Sequence, residues 1–295
     1  MSRSPEARRV VAGSTLAIVA PSGVFSRESF EAGAARLSER YRLRYDEGVF
    51  TRDGYFAGDD ARRVAELRRA LADPEVDAIL CARGGYGATR LLSRLTEDEV
   101  RSGNKRIVGF SDITALHALW ARAGVPSLHA SMVAALAKST PALFDRFVGA
   151  LEEPSFDTVS GLHALAPGVA RGPLCGGNLA VLAALLGTPF MPPLRGAVLF
   201  LEDVGERPYR VDRMLTSMRQ AGVFEQVAGV VLGAFTEAKP GVDGVSVSDV
   251  LRERLGDLEV PVAHGLPAGH VDDNLELSLG SEVELDAETG MLRFV

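Results

Sequence analysis

Short apolar runs alternate with helical patterns through the first half of the chain, and this alternation constrains the fold more than any other feature. Residues 15–20 form an apolar run closed by Pro21-Ser22-Gly23, the pattern of a buried strand. Phe30, Ala34 and Leu37 follow at helical spacing, then Tyr41, Leu43 and Tyr45 alternate with arginines as in a half-exposed strand. Val64, Leu67 and Leu71 line a second helix. Residues 77–81 read as a third strand, followed by Arg83-Gly84-Gly85-Tyr86-Gly87 and a short helix through Leu91 and Leu92. Residues 106–110 give a fourth strand, and Ile113, Leu116 and Trp120 a helix face. Thr140 before Pro141 is a helix start, with Phe144, Phe147 and Leu151 behind it. Alternation of this kind implies a parallel sheet with helices on both faces, which binds ligands beyond the carboxyl ends of its strands.

Periodicity lapses between residues 152 and 173, where Pro154, Pro167 and Pro173 fall. The expected organisation is therefore an N-terminal α/β domain over 1–153, a linker over 154–174 and a C-terminal domain over 175–295. The last part carries a helix at 178–186, a strand at 197–201 and a helix through Val211, Leu215 and Met218. A strand at 227–232 and an alternating tail around Gly290 complete a β-rich α+β pattern.

Composition narrows the function. A net charge of −7 argues against a nucleic-acid binder that relies on a basic surface. No stretch approaches the roughly 20 apolar residues of a membrane span, and the run after the charged N-terminus is too short for a signal peptide. Cys81 and Cys175 lie far apart and fit neither a disulfide framework nor a C-x-x-C metal site, so a reducing, cytoplasmic location is expected.

The chemistry centres on Ile107-Val108-Gly109-Phe110-Ser111-Asp112, where a strand turns sharply into a helix with a serine in the turn. Such a turn presents a hydroxyl at a sheet edge beside helix-end N–H groups. A serine needs a base. His117 lies on the following helix, as a packing or solvated residue, and His163 falls in the linker. His129 ends a short strand, and His264 and His270 occupy a Gly- and Pro-punctuated loop, so these three compete for the role. Glu202 and Asp203 end an apolar strand, where a charge needs a partner. The glycines at 84, 85 and 87 allow close backbone approach, as an oxyanion or carboxylate nest requires. They match neither the dinucleotide nor the P-loop phosphate pattern.

Four ordered stretches resemble the L,D-carboxypeptidases of serine peptidase family S66. They are residues 83–92, residues 109–114, Leu201-Glu202-Asp203 with Pro208-Tyr209-Arg210-Val211-Asp212-Arg213, and residues 265–270. The resemblance implies a flavodoxin-like domain carrying the nucleophile Ser111 and a β-rich domain carrying the orienting acid Glu202 and the general base His270. It places the site between the domains. It further implies oxyanion donors at the Gly85 and Asp112 N–H groups, no metal or other cofactor, and a homodimer. Arg83 and Tyr86 are the candidate substrate contacts. This chain has His129-Ala130-Ser131 where many relatives carry His-Gly-Pro. The family activities are removal of D-alanine from the murein tetrapeptide and hydrolysis of microcin C-type peptide–nucleotide amides. Members of the second kind tend to be longer, with an aromatic residue stacking on the base. The short chain, with its one tryptophan in the helix after Ser111, favours the murein peptide as substrate. A non-catalytic ligand-binding protein is the competing class.

Overall fold

The structure, a computed structural model, describes residues 8–153 and 158–295. The first residues of the charged N-terminus and positions 154–157 of the expected linker lie outside the described residues. The chain forms two compact units, one running to Pro154 and including Glu276–Ser278, the other comprising Ser155–Leu275 and Leu279–Val295.

In the first unit the strands β1 (Thr15–Val19), β2 (Arg42–Arg44), β3 (Ala78–Cys81), β4 (Arg106–Gly109) and β5 (Ser127–His129) pair in parallel. Their order is β2-β1-β3-β4-β5, the flavodoxin-like winding, and a short strand from late in the chain, Leu277–Leu279, adds beyond β5. Every residue of β1, β3 and β4 is buried, Thr15 and Arg106 at the strand starts included, as expected of largely apolar runs covered on both faces. The helices Arg27–Ser38, Asp60–Ala72 and Pro141–Glu152 start at side-chain caps from Ser26, Asp59 and Thr140. Phe30, Leu37, Val64, Leu67 and Leu71 turn inward from the first two of these helices. Strand order reverses between β1 and β3, so the loops after these strands sit at the switch point of the sheet. The Ser111 turn follows the adjacent strand β4.

The second unit is built on β6 (Val159–Ser160), β7 (His163–Ala166), β8 (Val169–Asn178), β9 (Val198–Val204), β10 (Gly229–Thr236) and β11 (Val262–His264). With the late strand of the first unit as β12, it ends in β13 (Glu282–Asp286) and β14 (Met291–Phe294). The sheet order is β6-β14-β13-β8-β9-β10-β11-β7. Its centre, β8 to β11, is parallel, and both flanks are antiparallel.

Two expectations change. Residues 159–174, expected as linker, belong to β6, β7 and β8, and β8 is central to the sheet. Pro173 sits opposite Glu282 within the β8–β13 ladder, so this proline punctuates no loop. Strand β9 runs three residues past Leu201, which puts Glu202 and Asp203 inside the strand rather than after it. Among the described residues no helix is long and apolar enough to cross a membrane.

Candidate active site

Phe110 continues the extended backbone of β4 at φ −150°, and Ser111 then turns to φ +63°. Among the described residues only Asn104 and Glu237 share a positive φ without being glycine. A left-handed serine costs on the order of 1 to 3 kcal/mol and persists only where its surroundings hold it. A single 3-10 turn, Ser111–Ile113, leads directly into the helix Thr114–Ala123. The strained turn thus displays a half-buried hydroxyl at a strand end.

The glycine loop after β3 lies against this serine. A Cβ on Gly84 would stand 3.2 Å from Ser111 Cβ and 3.3 Å from its Oγ, so only glycine fits the approach comfortably. Gly85 takes φ +105°, a backbone conformation that favours glycine, within the tight turn of this loop.

Asp112 ties these pieces together. It is buried, and its Oδ2 accepts from the Ser22 hydroxyl at 2.6 Å and from the Ala88 N–H at 2.8 Å. Burial raises its pKa, and Ser22, the Ala88 and Gly87 N–H groups and the Arg63 charge oppose that shift. The sequence marks Asp112 only for its backbone N–H. The signal for its side chain is an acid placed directly after Ser111 at a buried strand end.

In the second unit Glu202 has no solvent exposure, and its Oε2 lies 2.7 Å from His270 Nδ1. Asn178, opposite Glu202 in the β8–β9 register, donates from Nδ2 to Glu202 Oε1 at 3.3 Å. The carboxylate is thereby held from both sides, and a neutral His270 donates its Nδ1–H to it, leaving Nε2 as the basic nitrogen. Gly269 permits the contact: it takes φ +119°, and a Cβ there would meet Glu202 Oε2 at 2.6 Å. The loop that carries His270 is anchored by Gly269 N–H to Asn274 Oδ1 at 2.7 Å and by the Thr236 hydroxyl to the His270 carbonyl at 3.1 Å. Asp203 serves structure instead. It accepts from the Ala180 N–H at 2.9 Å, and burial pushes its pKa up to about 6.

The other candidates separate. His264 faces His163 across β11 and β7 with ring centroids 5.3 Å apart, and burial together with that neighbour lowers its pKa. His117 is buried, donating from Nε2 to the Gly109 carbonyl at 2.8 Å and accepting at Nδ1 from Ser127 at 2.9 Å. Burial lowers its pKa to about 4, so it braces the end of β4 as a neutral ring. His129 is buried with its ring 5.7 Å from that of Phe110. Arg83 is exposed and donates to the Val24 carbonyl. Tyr86 is 50% exposed, its ring 6.0 Å from that of Tyr55. Among the described residues no group of three His, Cys, Asp or Glu side chains is placed to hold a metal ion.

A strained serine at a parallel strand end and a buried glutamate on a histidine are the parts from which serine hydrolases are made. Family comparison narrows the class. Residues 16–130 match the LD-carboxypeptidase N-terminal domain and residues 171–285 the LD-carboxypeptidase C-terminal domain, and the chain belongs to this carboxypeptidase family. A putative carboxypeptidase of Synechocystis is 38% identical over 96% of this chain and 95% of its own length. The crystal structure of muramoyltetrapeptide carboxypeptidase from Oxalobacter formigenes superposes with a TM-score of 0.83 at 30% identity, covering 95% of this chain and 97% of that one. The microcin C7 self-immunity protein MccF, solved with aspartyl sulfamoyl adenosine, has the same fold, with a TM-score of 0.88 at 21% identity and 98% of each chain covered.

Proposed function

We propose that this carboxypeptidase releases the terminal D-alanine of the murein tetrapeptide through an acyl-enzyme on Ser111, in cytoplasmic peptidoglycan recycling. The observation that carries the reading is the fully buried Glu202 carboxylate 2.7 Å from His270 Nδ1. A buried carboxylate on an imidazole fixes the tautomer and stabilises the imidazolium that forms during acyl transfer. The name of the Oxalobacter relative supports the substrate.

In this mechanism Ser111 Oγ attacks the carbonyl of the L-centre of diaminopimelate while His270 Nε2 takes its proton. The Gly85 and Asp112 N–H groups stabilise the oxyanion. Collapse breaks the C–N bond, and His270 returns the proton to the departing amine of D-alanine. Water, deprotonated by His270, then attacks the ester, and Ser111 Oγ leaves with the proton, releasing the tripeptide. The exposed Arg83 and Tyr86 contact the substrate. Two free, buried cysteines, Cys81 and Cys175, are compatible with a reducing compartment. The active species is a homodimer, which sedimentation equilibrium checks.

The nucleotide-conjugate reading calls for a stacking aromatic. Trp120, the one tryptophan, is fully buried and donates to the Lys105 carbonyl at 2.8 Å, so it offers no face to a base. The test is direct. Purified protein is given murein tetrapeptide and aspartyl sulfamoyl adenosine in parallel, with released D-alanine and released aspartate measured. D-Alanine release supports the proposal. Aspartate release without D-alanine transfers it to the microcin-type activity, and stoichiometric binding with neither product makes the protein a binding module.

A further inference from the structure

Three strand-end loops converge on one oxygen that the mechanism above leaves unused. Asp112 Oδ2 receives the Ser22 hydroxyl from the loop after β1 and the Ala88 N–H from the loop after β3, while Asp112 itself follows β4. We propose that the Asp112 carboxylate is a positioning residue that aims both oxyanion N–H groups by locking these three loops to one another. The inference rests on the Ser111 mechanism and assigns it a part that lies outside the Ser–Glu–His set.

The two donors depend on this carboxylate in different ways. The Asp112 N–H belongs to the same residue, so anchoring the side chain fixes the peptide that carries it, immediately after the strained Ser111 at φ +63°. The Gly85 N–H is held from both ends of its loop. On one side Ala88 binds Asp112, with the Gly87 N–H adding to the same carboxylate. On the other, the Gly23 N–H donates to the Gly84 carbonyl at 3.0 Å, and Gly23 adjoins Ser22. Ser22 is itself fixed, since its carbonyl accepts the Ala57 N–H at 3.0 Å and Arg63 donates to the neighbouring Pro21 carbonyl at 2.5 Å. The turn carrying Gly85 is therefore closed into a ring of hydrogen bonds with Asp112 at its junction.

A purely structural cross-link here would be cheaper without charge, because burying a carboxylate carries a desolvation penalty that an apolar contact avoids. A carboxylate offers what an apolar group cannot, an acceptor for several N–H and O–H donors at once, with direction. Oxyanion stabilisation is sensitive to direction, since donors act only when aimed at the oxygen of the tetrahedral intermediate.

The experiment uses the full chain with Asp112→Ala, which removes the shared acceptor, and Ser22→Ala, singly and together. Each is followed by kcat and KM for D-alanine release, thermal melting, and the affinities for tripeptide product and for a peptidyl boronic acid whose boron replaces the scissile carbonyl. Removing an oxyanion donor outright costs about 10²- to 10³-fold in kcat, so misaiming both should cost Asp112→Ala about 10- to 100-fold, with KM and product affinity unchanged. Ser22→Ala should lose about 3- to 10-fold, and the double variant no more than Asp112→Ala alone, because the two act through one bond. Boronate affinity should fall in step with kcat. A folded Asp112→Ala whose kcat and boronate affinity stay within about 2-fold of the parent overturns the proposal, as do losses shared equally by product and boronate. If Asp112→Ala does not fold, Ser22→Ala decides by the same criteria. Turnover retained by Ser111→Ala would instead overturn the mechanism on which the inference rests, so the two failures are distinct.

Discussion

Replacing Glu202 with glutamine should remove nearly all activity while leaving the fold in place, and the reason lies in the bond on its far side. Asn178 Nδ2 donates to Glu202 Oε1, and Oε2 accepts from His270 Nδ1. In Glu202→Gln the amide oxygen stays with the Asn178 donor, which turns the new NH2 group toward His270. That group donates to Nδ1, drives the ring proton to Nε2, and leaves the base protonated on the nitrogen that must accept from Ser111. A wrong tautomer of this kind costs about 10⁴ in kcat, or roughly 5 kcal/mol of transition-state stabilisation. The melting temperature should hold or rise, because an uncharged isostere carries no desolvation penalty in a site with no solvent exposure. Asn178 also caps the helix Leu179–Ala184 through Oδ1 to the Val181 N–H at 3.1 Å. Adding Asn178→Asp keeps that cap and supplies an acceptor for the new amide, which then turns its oxygen back to His270. The double variant should recover at least about 10-fold of the lost kcat. The assay is D-alanine release coupled to D-amino acid oxidase, with melting followed by circular dichroism. Activity of Glu202→Gln within about 10-fold of the parent would refute the orienting role. A full loss with no recovery in the double variant would refute the tautomer argument.

Gly269→Ala should abolish activity and lower the melting temperature, since a Cβ at φ +119° would enter the Glu202 carboxylate at 2.6 Å; a destabilisation of about 2 kcal/mol or more is expected in urea titration. Stability should also carry a signature of His117 as pH falls. Its folded pKa of about 4 lies below the unfolded value of 6.5, so the unfolded chain alone binds a proton between these limits, and the contribution present above pH 6.5 is lost as pH drops toward 4. This is worth on the order of 3 kcal/mol across the window. Asp203, raised to about 6, opposes it there, because its unfolded form gives up a proton first as pH rises. Comparing His117→Gln with the parent isolates the histidine term, and parallel stability profiles between pH 4 and 7 would contradict it.

The first sheet is legible in the sequence because its central strands are covered on both faces. Residues of β1, β3 and β4 are uniformly buried and, beyond Thr15 and Arg106 at the strand starts, apolar or glycine, and each strand is followed by a turn that the sequence marks. The β8 region is illegible for the opposite reason. Its glycines and proline imitate a linker, whereas a Cβ on Gly176 would strike the Phe200 carbonyl oxygen at 2.0 Å, so the glycine is there to let a neighbouring strand approach. Addition of Leu277–Leu279 to the first sheet is a long-range pairing that no local pattern announces.

The site divides in the same way. Ser111 shows itself through the strand-to-helix turn, yet residue patterns leave three histidines in competition. The structure separates them, with His264 set against His163, His129 buried beside Phe110, and His270 on Glu202. Spacing does not mark Asn178 or the side chains of Ser22 and Asp112, because their hydrogen bonds arise from strand register and loop convergence.

The central claim is that Ser111 is the nucleophile, and the most direct test is D-alanine release by Ser111→Ala measured beside tetrapeptide binding. The account predicts that the variant folds and binds the tetrapeptide, while kcat falls by roughly 10⁴- to 10⁶-fold. Turnover by that variant at a rate near the parent's would contradict it.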